Sequence, residues 1–190
     1  WNPLTFRLRY KEIRRNIPLV SGARILDIGC AFGLLLKEFP GGFKIYGLDV
    51  SEYAISKARE ENPRGIFQIA DVTKKRPFPD NFFDLIIMND IIEHLAEPEL
   101  ALENARSMLK KGGYLYLTTP NLNLLRRVIF HFPDKWEHHI SLTSFSETKK
   151  LLENSGFEVL KGWNFISIFG IRIKLPRFLG LESTFICQKV

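Results

Sequence analysis

Two acidic residues and two glycines near the start of the chain have the types and the spacing of a nucleoside-binding crevice. Asp27 lies in an apolar run that leads into a turn with Gly29 and Gly33, and a second apolar run ends at Asp49. Asp49 follows Gly29 by 20 positions, the spacing at which a βαβ unit brings a carboxylate to the hydroxyls of a ribose. Each residue could instead serve only a tight turn. Together they favour a bound nucleoside.

The turn does not fit a dinucleotide. The fingerprint G-x-G-x-x-G requires glycine where this chain has Ala31 and Leu34. Asp27 would also repel a pyrophosphate, whereas it would attract a cationic amino-acid tail or a sulfonium. The residues therefore favour a nucleoside that carries a cation, and an oxidoreductase crevice is the less favoured alternative.

The string Leu26–Cys30, followed by Ala31-Phe32-Gly33, resembles the first motif of class I S-adenosylmethionine-dependent methyltransferases, and segments 66–72, 77–88 and 112–121 follow in the family's order. Ala31 stands where the family commonly has glycine, and because alanine adds only a methyl group the backbone can still approach the cofactor there if its φ is negative. The resemblance implies S-adenosylmethionine as cofactor, with Asp49 on the ribose and Asp71 on the adenine amino group. The implied cofactor-binding residues are Asp27, Gly29, Cys30, Ala31, Gly33, Asp49, Val50, Asp71, Val72 and Asn89.

Histidines are the candidates for proton removal. The sulfonium already activates the methyl group, so a base is needed only when the acceptor is a hydroxyl. The chain has His94, His131, His138 and His139, and we predict His94 and His139 as bases because they lie near the expected pocket. A surface or packing role is the alternative for each of them.

The segment Asn89–Leu95 resembles the Glu-x-x-Glu-His segment with which small-RNA 3′-end 2′-O-methyltransferases and some ubiquinone-pathway O-methyltransferases hold a divalent cation. If the segment is helical, Asp90 shares one face with Glu93 and His94. Asp90 is one methylene shorter than the family's glutamate, and it could instead cap a helix while Glu93 and His94 brace the loop. We assign no metal site to this segment from the sequence.

Alternating apolar patterns predict an α/β fold. The expected strands lie near 24–28, 43–49, 66–70, 83–88, 113–119, 157–163 and 183–189, and the expected helices near 33–39, 51–62, 97–110 and 144–155. This order predicts a Rossmann-like three-layer sandwich, with a seven-stranded, mostly parallel sheet and helices on both faces. By resemblance, the seventh strand inserts antiparallel beside the fifth, and the ligand lies at the carboxyl ends of strands one and four.

A chain of 190 residues with 45% hydrophobic content is expected to form a single methyltransferase domain over 1–190. We expect a helical segment over 1–22 and apolar insertions on the acceptor side at 121–143 and 163–181, the first more mobile than the sheet. The sequence shows no signal-peptide pattern and no apolar run long enough to span a membrane, and Cys30 and Cys187 do not form a disulfide framework. These features favour a cytoplasmic location.

The net charge of +6 raises the question of a nucleic-acid partner. The densest basic run is Arg7, Arg9, Lys11, Arg14 and Arg15, and the other cations are scattered. We favour a solvated basic surface over an RNA-binding groove or an anionic-lipid footprint. The expected activity is methyl transfer to a small or lipophilic acceptor, with oxygen favoured, and the alternatives are RNA methylation and a non-catalytic nucleoside-binding module.

Overall fold

A computed structural model gives the fold and describes residues 3–123, 126, 140–168, 171–176 and 179–190. The helices of this part are α1 (Pro3–Asn16), α2 (Leu34–Lys37), α3 (Glu52–Glu61), α4 (Pro98–Met108) and α5 (Phe145–Asn154). The strands are β1 (Arg24–Ile28), β2 (Lys44–Asp49), β3 (Ile66–Ile69), β4 (Phe83–Asn89), β5 (Leu109–Pro120), β6 (Phe157–Ile168), β7 (Ile171–Leu175) and β8 (Glu182–Lys189).

The strands form one sheet in the order β3-β2-β1-β4-β5-β8-β6-β7. The five strands from β3 to β5 pair in parallel, and β8 lies antiparallel between β5 and β6. The predicted Rossmann-like fold is therefore confirmed, including the antiparallel insertion of the last strand. The predicted number of strands is one too low, because β7 adds an edge strand antiparallel to β6.

Apolar residues on the two faces of the sheet form separate cores. Strand residues alternate between them: Leu26 and Ile28 of β1 pack on the face covered by α4 and α5, and Ile25 packs on the face covered by α1, α2 and α3. Alternation of this kind is expected of strands buried on both faces. Helices cover both faces, as predicted.

Two elements differ from their predicted bounds for identifiable reasons. Strand β5 begins at Leu109 and not at 113, because Gly112, at φ 74°, lies within a bulge where the pairing with β4 shifts register. Strand β6 continues to Ile168 and forms a hairpin with β7, so much of the predicted insertion 163–181 is sheet. Within the predicted insertion 121–143, residues 124, 125 and 127–139 lie outside the described part of the chain, and the expected mobility stays a prediction.

Helix α5 shows why its bounds could be predicted closely. The Ser144 side chain accepts a hydrogen bond from the Glu147 amide, while the Glu147 side chain accepts one from the Ser144 amide. This reciprocal capping box satisfies donors that the first helical turn leaves unpaired. Beyond the helix, Gly156 takes a φ of 80°, which glycine adopts at low cost.

The chain order creates a crevice next to β1. From β1 the chain builds β2 and β3 on one side, and it then returns to place β4 on the other side. Ligands of open α/β sheets bind at such a switch point, outside the carboxyl ends of the strands. Among the helices of the described residues, none has both the length and the apolar character needed to cross a bilayer.

Candidate functional site

The turn from β1 into α2 is fastened to the neighbouring strand β2. The amides of Gly29 and Cys30 both donate to the Leu48 carbonyl, at 2.7 and 2.9 Å. Gly29 has a φ of 72°, and a Cβ at this position would overlap the Ile91 side chain. Both the backbone path and the packing therefore require glycine at position 29.

The alanine of this turn does not have the negative φ that was named as the condition for a close approach of the backbone, because Ala31 has a φ of 45°. An L-residue in this region carries strain of roughly 1–2 kcal/mol. The Ala31 amide donates to Asp49 Oδ2 at 2.9 Å, and this bond to an acid offsets part of the strain. The backbone conformation thus serves to link the turn to the end of β2.

Asp49 is held by backbone amides on both carboxylate oxygens. Its Oδ2 accepts from Ala31, and its Oδ1 accepts from the Ser51 amide, also at 2.9 Å. An ionised carboxylate has about four acceptor positions, so each oxygen retains one for a further donor. A carboxylate fixed in this way has the acceptors that two ribose hydroxyls require.

A cavity of about 320 Å³ opens at the carboxyl ends of β1, β2 and β4. Six of the predicted cofactor residues line it, namely Asp27, Gly29, Cys30, Ala31, Asp49 and Asn89. Phe6, Phe32, Leu34, Leu35, Asp90, Ile91 and His94 complete the wall. The predicted catalytic residue His94 is therefore at the site, whereas His139, like His131 and His138, lies outside the described residues.

Four predicted cofactor residues lie away from the cavity wall. Asp71 closes its own turn, accepting from the Thr73 amide at 2.9 Å and from the Thr73 hydroxyl at 2.6 Å. The hydroxyl bond is the main cause that lowers the pKa of Asp71. Val72 is buried in the core, Val50 is exposed, and Gly33 lies at the start of α2.

Asp27 is a buried acid with one carboxyl oxygen that makes no hydrogen bond to the described residues. Its Oδ1 has no hydrogen-bond partner among the described residues. Burial raises the pKa of Asp27 to about 8, while Arg9 lowers it and Asp49 raises it further. A cation placed in the cavity would favour the ionised form of this carboxyl. The orphaned oxygen is therefore suited to a positively charged ligand.

Cys30 lies beside this acid but has no nucleophilic character. Burial, followed by the charge of Asp27, raises the pKa of its thiol. The thiolate is the reactive form of cysteine, and it is disfavoured here. Cys30 therefore contributes shape to the turn and not chemistry.

Arg9 is a site residue that the sequence motifs do not predict. Its guanidinium is buried, with Nη2 at 3.0 Å from Asp90 Oδ2 and at 3.4 Å from Glu182 Oε1. Phe6, one turn earlier on α1, lines the cavity. A signal for this placement exists in the sequence, since Arg9 falls three residues after Phe6 and four before Ile13, on the apolar face of α1.

The segment after β4 is not the helix on which the metal hypothesis depended. Asp90 has a φ of 55°, and only Ile92–His94 form a short 3₁₀ turn. The Asp90 carboxylate pairs with Arg9 and accepts from the Thr118 hydroxyl at 2.9 Å. Across the described residues, no three His, Cys, Asp or Glu side chains are arranged to hold a metal ion.

Glu93 points into the protein and braces the loop. Its Oε2 accepts from the Thr119 hydroxyl at 3.1 Å, and its carbonyl accepts from the amides of Ile140 and Ser141, each at 2.9 Å. Burial, followed by the charge of Asp90, raises the pKa of Glu93 to about 8. The bracing role proposed for Glu93 thus agrees with its contacts, whereas the N-cap of the 3₁₀ turn is Ile91 and not Asp90.

Comparison with known proteins shows the family. The model of the methyltransferase domain matches residues 6–161. Trans-aconitate 2-methyltransferase of Variovorax paradoxus is 32% identical over 133 residues, covering 64% of this chain and 50% of that protein. Ubiquinone biosynthesis O-methyltransferase of Nitrobacter winogradskyi is 32% identical over 118 residues, covering 60% of this chain and 45% of that protein. The chain thus spans about half the length of the curated relatives it matches.

Solved structures share the fold over nearly the whole chain. A SAM-dependent methyltransferase from Thermotoga maritima superposes with a TM-score of 0.76 at 23% identity, covering 98% of this chain and 92% of that one. Another SAM-dependent methyltransferase, from Methanosarcina mazei, superposes with a TM-score of 0.71 at 22% identity, covering 94% of this chain and 97% of that one. The fold, the glycine turn and the domain match agree, and the chain belongs to the methyltransferase-domain family of class I enzymes, whose cofactor is S-adenosylmethionine.

Proposed function

We propose that this chain transfers a methyl group to an oxygen atom of a small or lipophilic acceptor, with His94 as the base. The observation that carries the proposal is that His94 lines the same cavity as Asp27 and Asp49. Imidazole accepts protons near neutral pH, and a hydroxyl acceptor must lose its proton as it attacks. The name of the ubiquinone biosynthesis O-methyltransferases supports oxygen as the acceptor atom.

The residues of the cavity fit S-adenosylmethionine. When bound, this cofactor supplies a methyl group already activated by a sulfonium. Asp49 has acceptors for the ribose hydroxyls, and the buried Oδ1 of Asp27 has no hydrogen-bond partner among the described residues and would be stabilised by the cation. The protein then has to orient the acceptor, exclude water and accept one proton at His94.

We also propose that residues 121–143 form part of the acceptor pocket and that His139 is a second candidate base. The chain enters this segment from the carboxyl end of β5, next to β4 in the sheet. Loops at this end of an open sheet commonly carry the substrate-binding residues. His94 is therefore the preferred base, because it lines the cavity in the described part of the chain.

Turnover with isotopically labelled S-adenosylmethionine tests the proposal. Phenols, aliphatic alcohols, carboxylic acids, amines and single-stranded RNA serve as acceptors, and mass spectrometry locates the label. We expect label on oxygen of a small acceptor. Label only on nitrogen or on RNA would overturn the choice of acceptor, and cofactor binding without turnover of any acceptor would favour a non-catalytic module.

The variant His94→Asn tests the base. For a hydroxyl acceptor we expect kcat to fall by roughly 10²–10⁴-fold while the Kd of S-adenosylmethionine stays the same, because general-base catalysis contributes about that factor. Unchanged kcat in the variant would remove His94 from the mechanism.

A further inference from the structure

A second and larger depression lies between α1 and the β6–β7 hairpin. It has a volume of about 990 Å³ and is called the α1–β6 groove below. Residues Leu4, Leu8, Lys11, Glu12, Arg15 and Asn16 of α1 line one side, and Leu160, Lys161, Gly162, Trp163, Phe165 and Lys174 of the hairpin line the other. The groove thus joins two segments, the basic run of α1 and the apolar stretch from 163, that lie far apart in the sequence.

The floor and edges of the groove offer aliphatic and aromatic surface. Leu8, Trp163 and Phe165 lie on its wall, with Leu4 and Leu160 at the solvent side. Leu4 is 45% exposed and Leu160 is 42% exposed, so both offer apolar surface to a ligand in the groove. An apolar ligand would remove this surface from water.

The rim of the groove is positively charged. Lys11, Arg15, Lys161 and Lys174 all line it and are exposed, whereas Glu12 is the single acid on the described wall. Glu12 is already engaged, because it accepts from the Tyr116 hydroxyl at 2.7 Å and from Trp163 Nε1 at 2.8 Å. The groove therefore has more cations than acids on its rim, next to an apolar wall.

The contacts of Trp163 decide between a lipid and a nucleic acid. Lys174 Nζ lies 5.3 Å from the centre of the indole ring, and Glu12 holds the indole N–H. One face and the polar edge of the ring are thus occupied, so the ring is poorly placed to stack on a base, as single-stranded nucleic acids require. Aliphatic leucines and a cationic rim instead complement an acyl chain and a phosphate.

We propose that the α1–β6 groove docks this protein on an anionic membrane surface, with a phospholipid phosphate at Lys11, Arg15, Lys161 and Lys174 and its acyl chain against Leu8 and Leu160. The observations that carry the proposal are the volume of the groove, its exposed leucines and the four exposed cations on its rim. Docking of this kind combines apolar burial with attraction to anionic headgroups. It does not depend on which acceptor is methylated.

Co-sedimentation with vesicles tests the charge of the rim. Vesicles of phosphatidylglycerol mixed with phosphatidylcholine should bind the protein at low ionic strength, and pure phosphatidylcholine vesicles should not. The double variant K11Q/R15Q should weaken binding roughly tenfold or more, given the attraction of each cation near an anionic surface. The matched double variant K44Q/K150Q removes two exposed lysines elsewhere and should weaken binding by much less.

A second pair of variants tests the apolar surface of the groove. Leu160→Ser should weaken vesicle binding several-fold, whereas Val20→Ser, at a position that is 72% exposed and does not line the groove, should not. Circular dichroism and calorimetric titration of S-adenosylmethionine show whether each variant is folded. Equal losses in K11Q/R15Q and K44Q/K150Q would reduce the effect to net charge, and equal losses in Leu160→Ser and Val20→Ser would mean that the surface of the groove has no special role; either result would overturn the proposal.

Three other outcomes would also overturn it. The first is binding of a monomeric short-chain phosphatidylglycerol with no binding to vesicles, which would make the groove a lipid pocket. The second is RNA binding that K11Q/R15Q abolishes while vesicle binding persists. The third is a concentration-dependent dimer in sedimentation velocity that Leu160→Ser dissociates.

Discussion

Asp27 is the residue whose chemistry depends most on whether the cavity holds a cation. At pH 7 the buried carboxyl is mostly protonated, because its pKa is raised to about 8. A cationic ligand lowers this pKa, so binding releases a proton. The affinity for S-adenosylmethionine should therefore rise as the pH increases toward 8 and level off above it, where Asp27 is ionised before the ligand arrives.

Calorimetry in two buffers of different ionisation enthalpy measures this proton release at pH 7. The wild type should release the proton of Asp27 on binding, and Asp27→Asn should not. Glu93→Gln should behave like the wild type, because Glu93 does not line the cavity. The amino group of the ligand titrates in all three and cancels in the comparison. Equal proton release by Asp27→Asn and the wild type would contradict this account of Asp27.

Asp49 and Asp71 are both acids that follow strands, and their contacts predict different consequences of substitution. Asp49→Ala removes a charged acceptor for the ribose and should weaken binding of S-adenosylmethionine by about 1.5–3 kcal/mol in calorimetry. Asp71→Asn should leave binding unchanged and lower only the stability, because Asp71 bonds to its own turn at Thr73. A comparable loss of affinity in both variants would restore the adenine contact that the sequence predicts for Asp71.

At the scale of elements, the sequence predicted those features that depend on local chemistry. Ser144 and Glu147 fixed the start of α5, and the acid-ended apolar runs fixed β1 and β2. The hairpin of β6 and β7 was missed because cations interrupt its apolar pattern, and one of them, the exposed Lys174, lies on the edge strand β7. Local patterns carry no information on pairing across the sheet.

The candidate site shows the same limit. The turn residues and Asp49 were predictable from spacing, because one βαβ unit brings them together. The ion pairs of Arg9 were not predictable in this way, because its partners Asp90 and Glu182 lie 81 and 173 positions further along the chain. The docking of α1 on the site is therefore a tertiary property.

The docking of α1 depends on the buried charge of Arg9. Arg9→Met would remove the buried cation that lies 3.0 Å from Asp90 and 3.4 Å from Glu182, and we expect a loss of about 3 kcal/mol in the free energy of unfolding, at the low end for a broken buried pair because Asp90 is 39% exposed. Urea denaturation measures this free energy of unfolding.

Arg7→Met is the matched control. Arg7 is 68% exposed and 3.6 Å from Glu38, so its loss should lower the free energy of unfolding by less than about 1 kcal/mol. Equal losses in the two variants would refute a structural role for the Arg9 charge.

At the scale of the whole molecule, the cofactor cavity connects the sheet to α1. The cavity wall includes Phe6 of α1 together with the ends of β1, β2 and β4, whereas no described residue of α5 lines it. A ligand stabilises the parts of a protein that must be folded for it to bind, and their local opening becomes less frequent. S-adenosylmethionine should therefore slow exchange in α1 and the 29–33 turn and leave α5 unchanged.

Hydrogen-exchange mass spectrometry tests this coupling. At a cofactor concentration of about 100 times the Kd, amides that exchange only when the cavity opens should slow by up to about 100-fold, which corresponds to about 2.7 kcal/mol. Peptides from Pro3–Asn16 should show this effect, and peptides from Phe145–Asn154 serve as the internal control. Slowing in the 29–33 turn alone would mean that α1 opens independently of the cavity, and equal slowing in α1 and α5 would mean that exchange occurs only through global unfolding.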